Sequence, residues 1–264
     1  MLQGALFATN NGLMRDDLRQ QNFIPLTQPY NANLSGRFTH VGGGNEVTNA
    51  AVLAANAGTG DAIVDWVFLE FRDATDNTIV LQTLSALVQR DGDIVDPTDG
   101  GNIRVFGLPT QFYVAVKHRN HIGAMMATPE TVISGTVTVD FTTATGPDLY
   151  NQAGYDGVEQ VNYNGIQALW GGNANADRKV KYDGAANDRI VTLQNVLAYP
   201  NNTGQTFNYN NAYDYLQGDV NMDGKAKYNG SFNDIIIIQN NVLLYPLNTA
   251  PLNNYNNMFE QIPN

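Results

Sequence analysis

Two stretches of the chain place oxygen-bearing side chains at every second position: GNANADRKVKYDGAAND at 172–188 and GDVNMDGKAKYNGSFND at 218–234. Asn173, Asn175 and Asp177 alternate in the first, Asp219, Asn221 and Asp223 in the second. Each stretch closes on a carboxylate, Asp188 or Asp234, that opens an apolar run. A hard cation asks for this pattern. Ca²⁺ takes about six to eight oxygens, and a tight loop can aim positions 1, 3 and 5 inward while a later carboxylate seals the shell. The first stretch offers two carboxylates, Asp177 and Asp188; the second offers three, Asp219, Asp223 and Asp234. Ligand charge tunes affinity, so the second site is expected to bind more tightly.

The matched positions lie 46 residues apart, and 15 of the 29 positions aligned from 172–200 to 218–246 are identical without a gap. Unrelated sequence does not agree so far, and the region is therefore a duplication. Each copy reads as loop, apolar segment, then Tyr-Pro. The apolar segment is predicted to be a short helix: Asn187 and Asn233 are good N-caps, and Asp188 and Asp234 suit the positive end of the helix dipole. Ile190, Leu193 and Leu197 recur at helical spacing, and Pro200 and Pro246 end the segments. The four isoleucines at 235–238 pull the other way, since β-branched residues favour a strand.

In these residues the chain resembles the dockerin type of duplicated calcium-loop module, an EF-hand relative with one helix after each loop. The resemblance covers roughly residues 170–246 and rests on D/N-x-N-x-D followed by a later Asp and an apolar helix. It implies two Ca²⁺ sites. In the first, Asn173, Asn175 and Asp177 give side-chain oxygens, Lys179 its backbone carbonyl and Asp188 the closing carboxylate. In the second, Asp219, Asn221, Asp223, the Lys225 carbonyl and Asp234 take the same roles. The closing Asp falls at position 16 of each loop, not 12, and the insertion has the same pattern in both copies. Arg178 stands where Gly224 supplies the sharp turn of the second loop, which predicts strain in the first. A β-domain followed by such a pair resembles the C-terminal modules of large secreted bacterial surface proteins, type IX secretion cargo among them.

Other clusters read more plainly. Asp91, Asp93, Asp96 and Asp99 suggest a solvated hairpin tip before a third cation site. His118 and His121 sit at i and i+3, which face opposite sides of a strand and favour a structural role. Gly42, Gly43 and Gly44 have no Walker lysine or following helix and are not a phosphate cradle. Glu46, Asp65 and Glu70 are the carboxylates that glycoside chemistry would use, yet Asp65 and Glu70 read as strand residues. There is no cysteine, no G-x-S-x-G and no H-E-x-x-H; no enzyme is expected. Tyr150, Tyr155, Tyr163, Tyr209 and Tyr213 would suit sugar stacking if exposed and loop packing if not.

The elements that position the loops follow from period and turn chemistry. Residues 62–72, 78–90 and 112–116 read as strands, 103–106 as a short one, and 131–142 as the clearest, with Ile133, Val137, Val139 and Phe141 alternating against polar residues. Residues 16–22 form a helical turn or loop, and 38–60 a long loop. Residues 1–143 are thus expected to form an immunoglobulin-like antiparallel β-sandwich. Residues 144–169 are expected as a linker, 170–247 as the small dockerin-like α/loop calcium domain, and 248–264 as a polar tail.

A net charge of −11 disfavours nucleic acid and anionic membrane surfaces and suits cations. No apolar run is long enough to span a bilayer, and no signal peptide is visible at the start of the chain. With no disulfide available, calcium is the staple expected of an extracellular fold. The expectation is a secreted, non-catalytic, calcium-binding structural or adhesive protein of the cell surface or extracellular matrix. Its partners would be further copies of itself or a neighbouring extracellular protein. Assembly into filaments by strand addition would use the apolar stretch 2–7 as the donated strand. The alternative is a carbohydrate-binding or anchoring module of a larger secreted enzyme, with a glycan as partner.

Overall fold

A computed structural model describes residues 1–7, 9, 11–31, 34, 36–155 and 157–263. In chain order the elements are α1 (Gln3–Leu6), α2 (Asp17–Gln20), α3 (Ala50–Ala54), β1 (Ile63–Asp73), β2 (Val80–Gln89), β3 (Ile94–Val95), β4 (Gln111–His118), β5 (His121–Met125) and β6 (Glu130–Thr131). Then come β7 (Gln160–Tyr163), β8 (Ile166–Leu169), α4 (Arg189–Leu197), β9 (Ala212–Tyr213), β10 (Lys225–Ala226) and α5 (Ile235–Leu244). No described helix is long and apolar enough to cross a membrane.

The chain is mainly β. A curled antiparallel sheet runs β3-β2-β1-β4-β5, with β6 paired to β4. Its centre is β1, whose first ten residues are all buried; that explains a segment apolar on both faces at its start. Trp66 and Phe68 are buried in it, with Tyr30 and Phe38 packed against Phe68 edge-on. The Tyr30 hydroxyl donates to the Trp66 carbonyl at 2.7 Å, so a loop with no regular structure is tied to the central strand. Other segments of the chain hydrogen-bond to the sheet beside β5 and, past the two-residue β3, along β2. Ile122 N–H donates to the Trp170 carbonyl and Tyr150 N–H to that of Met125 beside β5, while Thr83 N–H on β2 donates to the Val41 carbonyl.

Several expectations are corrected. Residues 132–142 do not continue β6. Ser134 and Gly135 both take positive φ, and Ile133 and Thr136 exchange backbone hydrogen bonds across them, so a two-residue turn breaks the alternation. Val137, Val139 and Phe141 still pack on the core, whereas Ile133 is exposed. Residues 103–106 form no strand, and Phe106 is exposed. The supposed linker holds the hairpin β7–β8, turned at Asn164-Gly165 with both φ positive. The stretch 2–7 is not a free strand: it forms the short helix α1, with Leu2, Ala5 and Leu6 fully buried.

The duplicated region reaches further than 247. The 46-residue offset continues through Asn202/Asn248, Thr203/Thr249, Tyr209/Tyr255 and Asn211/Asn257, and the structure repeats with it. Asn202 donates to the carbonyls of Val196 and Thr206, and Asn248 does the same to Val242 and Leu252. After copy one, β9 pairs with β10 in the loop of copy two; after copy two, Lys179 and Val180 in the loop of copy one pair with Phe259 and Met258. The expected polar tail is thus the second half of copy two, and Met258, Glu260 and Ile262 are buried. Each copy closes the other.

Candidate metal centres in the duplicated loops

The two loops share one backbone. Ala176 and Met222 take left-handed φ of 57° and 56°, and Arg178 and Gly224 take 73° and 85°. The strain expected at Arg178 is present in its backbone. A Cβ on Gly224 would lie 2.2 Å from Gln21 Nε2, so a side chain there would displace the amide that donates to the Asp223 carbonyl. Arg178 instead holds Glu260 and the Ile262 carbonyl, contacts that offset a non-glycine residue at positive φ.

The closing carboxylates sit in the same place. Asp188 accepts from the backbone N–H of Asn175 at 3.1 Å and Lys181 at 2.7 Å. Asp234 accepts from Val220 at 2.7 Å, Asn221 at 3.0 Å and Lys227 at 2.7 Å. Both side chains are buried and both head a helix, α4 or α5. The N-cap positions are Asp188 and Asp234 and not the expected asparagines; Asn233 Oδ1 still accepts from Ile236 N–H at 3.0 Å, whereas Asn187 Oδ1 has no hydrogen-bond partner among the described residues. The four isoleucines are helical after all, since Ile237 and Ile238 are buried and tertiary packing overrides a weak propensity.

The first positions differ. Asp219 is buried and accepts from Asp223 N–H at 3.1 Å and Gly224 N–H at 2.9 Å. Asn173, its counterpart, is equally buried, and neither its Oδ1 nor its Nδ2 has a hydrogen-bond partner. At the third and fifth positions Asp177 N–H donates to Asn175 Oδ1, and Asp223 N–H donates to Asn221 Oδ1, at 3.0 and 2.9 Å. Asn175 and Asn221 each donate to the carbonyl of a left-handed residue, Ala186 or Phe232. Lys179 and Lys225 lie in the short antiparallel pairings that end the loops. Hydrogen bonds thus link Asn175, Asp177, Lys179 and Asp188 in loop one, and Asp219, Asn221, Asp223, Lys225 and Asp234 in loop two, while the Asn173 side chain makes none among the described residues.

Electrostatics distinguish these loops from the rest of the interior. Burial pushes Asp188 and Asp234 well up from the ordinary carboxylate range; Asp177 adds to the first shift, Asp219 and Asp223 to the second. Burial raises Asp219 to about 8, with Asp223 adding and Arg119 opposing. Among the described residues none of Asp188, Asp219 and Asp234 belongs to an ion pair. Buried charge without a partner is strongly unfavourable. Among the described residues no three His, Asp or Glu side chains form a ready-made metal cage. The donor set of each loop is mixed instead: carboxylate, amide and backbone oxygen, the chemistry of a hard cation. The unpartnered Asn173 and the unpaired carboxylates fit such an ion.

Loop two is also fastened to the sheet, which the sequence did not disclose. Arg119 and Asn120 form the turn between β4 and β5. Arg119 Nη1 donates to the Leu216 carbonyl, and Asn120 Nδ2 to the carbonyls of Gln217 at 3.2 Å and Asp219 at 2.7 Å. Arg119 Nε also reaches Asp65 at 3.1 Å, and Tyr215 donates to the other Asp65 oxygen at 2.7 Å. His118 Nε2 meets Asp65 at 3.1 Å, and the two histidines meet Nδ1 to Nδ1 at 2.9 Å. His121 Nε2 accepts from Gly4 N–H at 3.0 Å, which fixes its proton on Nδ1 if the ring is neutral. Burial lowers both histidines, so a neutral relay runs Asp65–His118–His121–Gly4. Spacing i, i+3 does bring the rings together, because the strand turns between them. The Asp91, Asp93, Asp96 and Asp99 stretch behaves as turn chemistry: Asp91, Asp96 and Asp99 each accept from a backbone N–H two residues on.

In comparisons with known proteins, no protein-family model matches the chain, nor does any curated protein or solved structure.

Proposed function

We propose that the chain is a secreted, calcium-binding structural or adhesive protein of the cell surface or extracellular matrix. In this reading its sheet domain is an immunoglobulin-like sandwich, and its C-terminal repeat is a dockerin-like pair of calcium loops. The observation that carries it is the set of buried carboxylates, Asp188, Asp219 and Asp234, that the fold leaves without a cationic side chain in an ion pair. Asn173, Asn175, Asp177 and Asp188 with the Lys179 carbonyl would hold one ion. Asp219, Asn221, Asp223 and Asp234 with the Lys225 carbonyl would hold the other. A bound ion would supply the positive partner that Asp188, Asp219 and Asp234 do not find among the side chains, and so would fix the loops' shape. Loop two meets the Arg119–Asn120 turn and loop one meets the segment 258–262, so the two ions would brace the repeat against itself and the sheet. Calcium outside the cell is abundant enough to keep such sites filled.

The strand-addition route to filaments has less support than the calcium sites, since stretch 2–7 is a buried helix and other segments of the chain hydrogen-bond to the sheet beside β5 and along β2. The test is calorimetric titration of chelator-treated protein with Ca²⁺, alongside thermal melting. Two binding events are expected, each removed by its own variant, Asp188→Asn or Asp234→Asn. No heat and no change in melting temperature at millimolar Ca²⁺ would sink the reading.

A further inference from the structure

The duplication yields two copies of one aromatic slot, and among the described residues only one of them is filled. In copy two the slot is made by Tyr245, Tyr255 and Phe259, with the Tyr245 and Tyr255 rings 6.0 Å apart. Tyr155, from a segment far earlier in the chain, enters it. Its ring stacks on Phe259 at 3.9 Å, and its hydroxyl meets the Tyr245 hydroxyl at 3.0 Å and donates to the Asn257 carbonyl. Val158 N–H, three residues on, donates to the Tyr245 hydroxyl at 2.9 Å. Tyr245 is only 2% exposed as a result.

Copy one builds the same slot from Tyr199, Tyr209 and Tyr213, each 46 residues earlier. The Tyr199 and Tyr209 rings stand 5.8 Å apart with a similar tilt. Tyr213 is the counterpart of Phe259, pairs with Lys225 as Phe259 pairs with Lys179, and is 40% exposed. The neighbouring Phe207 is 54% exposed. The Tyr199 hydroxyl donates to the Tyr213 carbonyl at 3.1 Å and keeps its lone pairs for an incoming N–H, the role Tyr245 plays toward Val158. Residues 190–213 contain no charged side chain; the Lys225 ammonium lies 5.5 Å from the Tyr213 ring and 4.0 Å from Asp223, and the exposed Asp214 follows Tyr213 in the chain.

We propose that the open slot of copy one docks an extended segment of a partner protein that presents a tyrosine ring. The occupant is specified by its twin. In copy two the stacked Tyr155 ring, its hydroxyl on a backbone carbonyl, is followed three residues on by the Val158 N–H that the Tyr245 hydroxyl accepts, so a tyrosine with a free backbone N–H beyond it is the pattern the slot reads. An aromatic anchor in a slot that excludes water is the usual centre of such an interface.

The experiment titrates a synthetic peptide of residues 150–160 into the intact, calcium-saturated protein and follows the tyrosine ring resonances. Saturable binding is expected to move Tyr199, Tyr209 and Tyr213. It should weaken at least tenfold in Tyr213→Ala protein, whose exposed site leaves folding intact by its melting temperature, and with a peptide carrying Tyr155→Ala. Three results would each overturn the proposal. One is no binding at millimolar peptide. Another is binding indifferent to Tyr213→Ala, which means the peptide exchanges with its own segment in copy two. The third is a Tyr213-dependent dimer, or Tyr213-dependent binding of an oligosaccharide, in place of peptide binding.

Discussion

Buried carboxylates occur in two regions of this molecule, and the regions treat them oppositely. Within and against the sheet, Asp65 meets Arg119, His118 and Tyr215, and Glu260, brought in by the second half of copy two, meets Arg37 and Arg178, with Lys117 nearby. Burial pushes both up, but these partners outweigh it and hold each at about 2. In the loops, Asp188, Asp219 and Asp234 are as deeply buried, receive mainly backbone N–H groups, and are shifted upward. In the first region a cationic side chain of the chain itself, Arg119, Arg37 or Lys117, stands against each buried carboxylate. That Asp188, Asp219 and Asp234 have none in an ion pair among the described residues is consistent with a counter-ion that comes from solution.

The sharpest way to break the comparison is to strip the sheet of its internal cation. Arg119→Ala leaves Asp65 buried with its main positive partner gone and cuts the tie to Leu216, so a loss of about 3–5 kcal/mol is expected in denaturant unfolding. Replacing both partners, Asp65→Leu with Arg119→Met, should cost clearly less, because no lone charge remains. Equal losses in the single and double variants would show that Arg119 acts through packing and not through Asp65.

The corresponding manipulation in the loops is removal of the ion. With free Ca²⁺ at 100 times Kd, mass action adds about 2.7 kcal/mol per site, so a chelator should lower the melting temperature by about 10 °C or more for the pair. Arg119→Ala protein should keep most of this calcium response. A chelator without effect on the wild type would place the loop carboxylates in the folded state as neutral acids.

How much of this was legible in the sequence depends on the range of the interactions. The loops were readable because every ligand candidate lies within 16 positions of its partners and the pattern is repeated. The sheet's partners are far apart in the chain: Asp65 meets Tyr215, and Arg37 meets Glu260. No local period announces such pairs. The 131–142 reading failed at Ser134-Gly135, where alternation continued in the letters while the backbone turned. Asn164-Gly165 was the converse, a hairpin signal inside a stretch taken for linker. The second half of copy two was missed because its identities thin out past Pro246, although Asn248, Tyr255 and Asn257 keep the offset.

Acidity should separate the two regions by sign. Asp65 ionises at about 2 in the fold and at about 3.9 when unfolded, so its contribution, roughly 2 kcal/mol, is present above pH ~4 and lost as pH falls toward 2. Glu260 acts in the same direction over a similar window. In chelated protein Asp219, raised to about 8, runs the other way: its contribution is present below pH ~4 and lost as pH rises toward 8. Melting curves should therefore show a mildly acid optimum without calcium and a plateau to neutral pH with it. Parallel pH profiles in both conditions would remove the distinction between the regions.

The smallest expected effect compares the loops with each other. Asn173 and Asp219 occupy the same position, but only Asp219 is a carboxylate and only Asp219 accepts from the backbone at the fifth and sixth positions. Asn173→Asp gives loop one the third carboxylate that loop two already has. Higher ligand charge strengthens a calcium loop, so the weaker binding event should tighten about tenfold, about 1.4 kcal/mol, and approach the stronger one. The same substitution adds a third like charge to a buried site, and in chelator it should lower the melting temperature below that of the wild type. Opposite signs with and without calcium are what a site awaiting a cation requires. If Asn173→Asp destabilises equally in both conditions, the first loop is a structural copy that holds no ion.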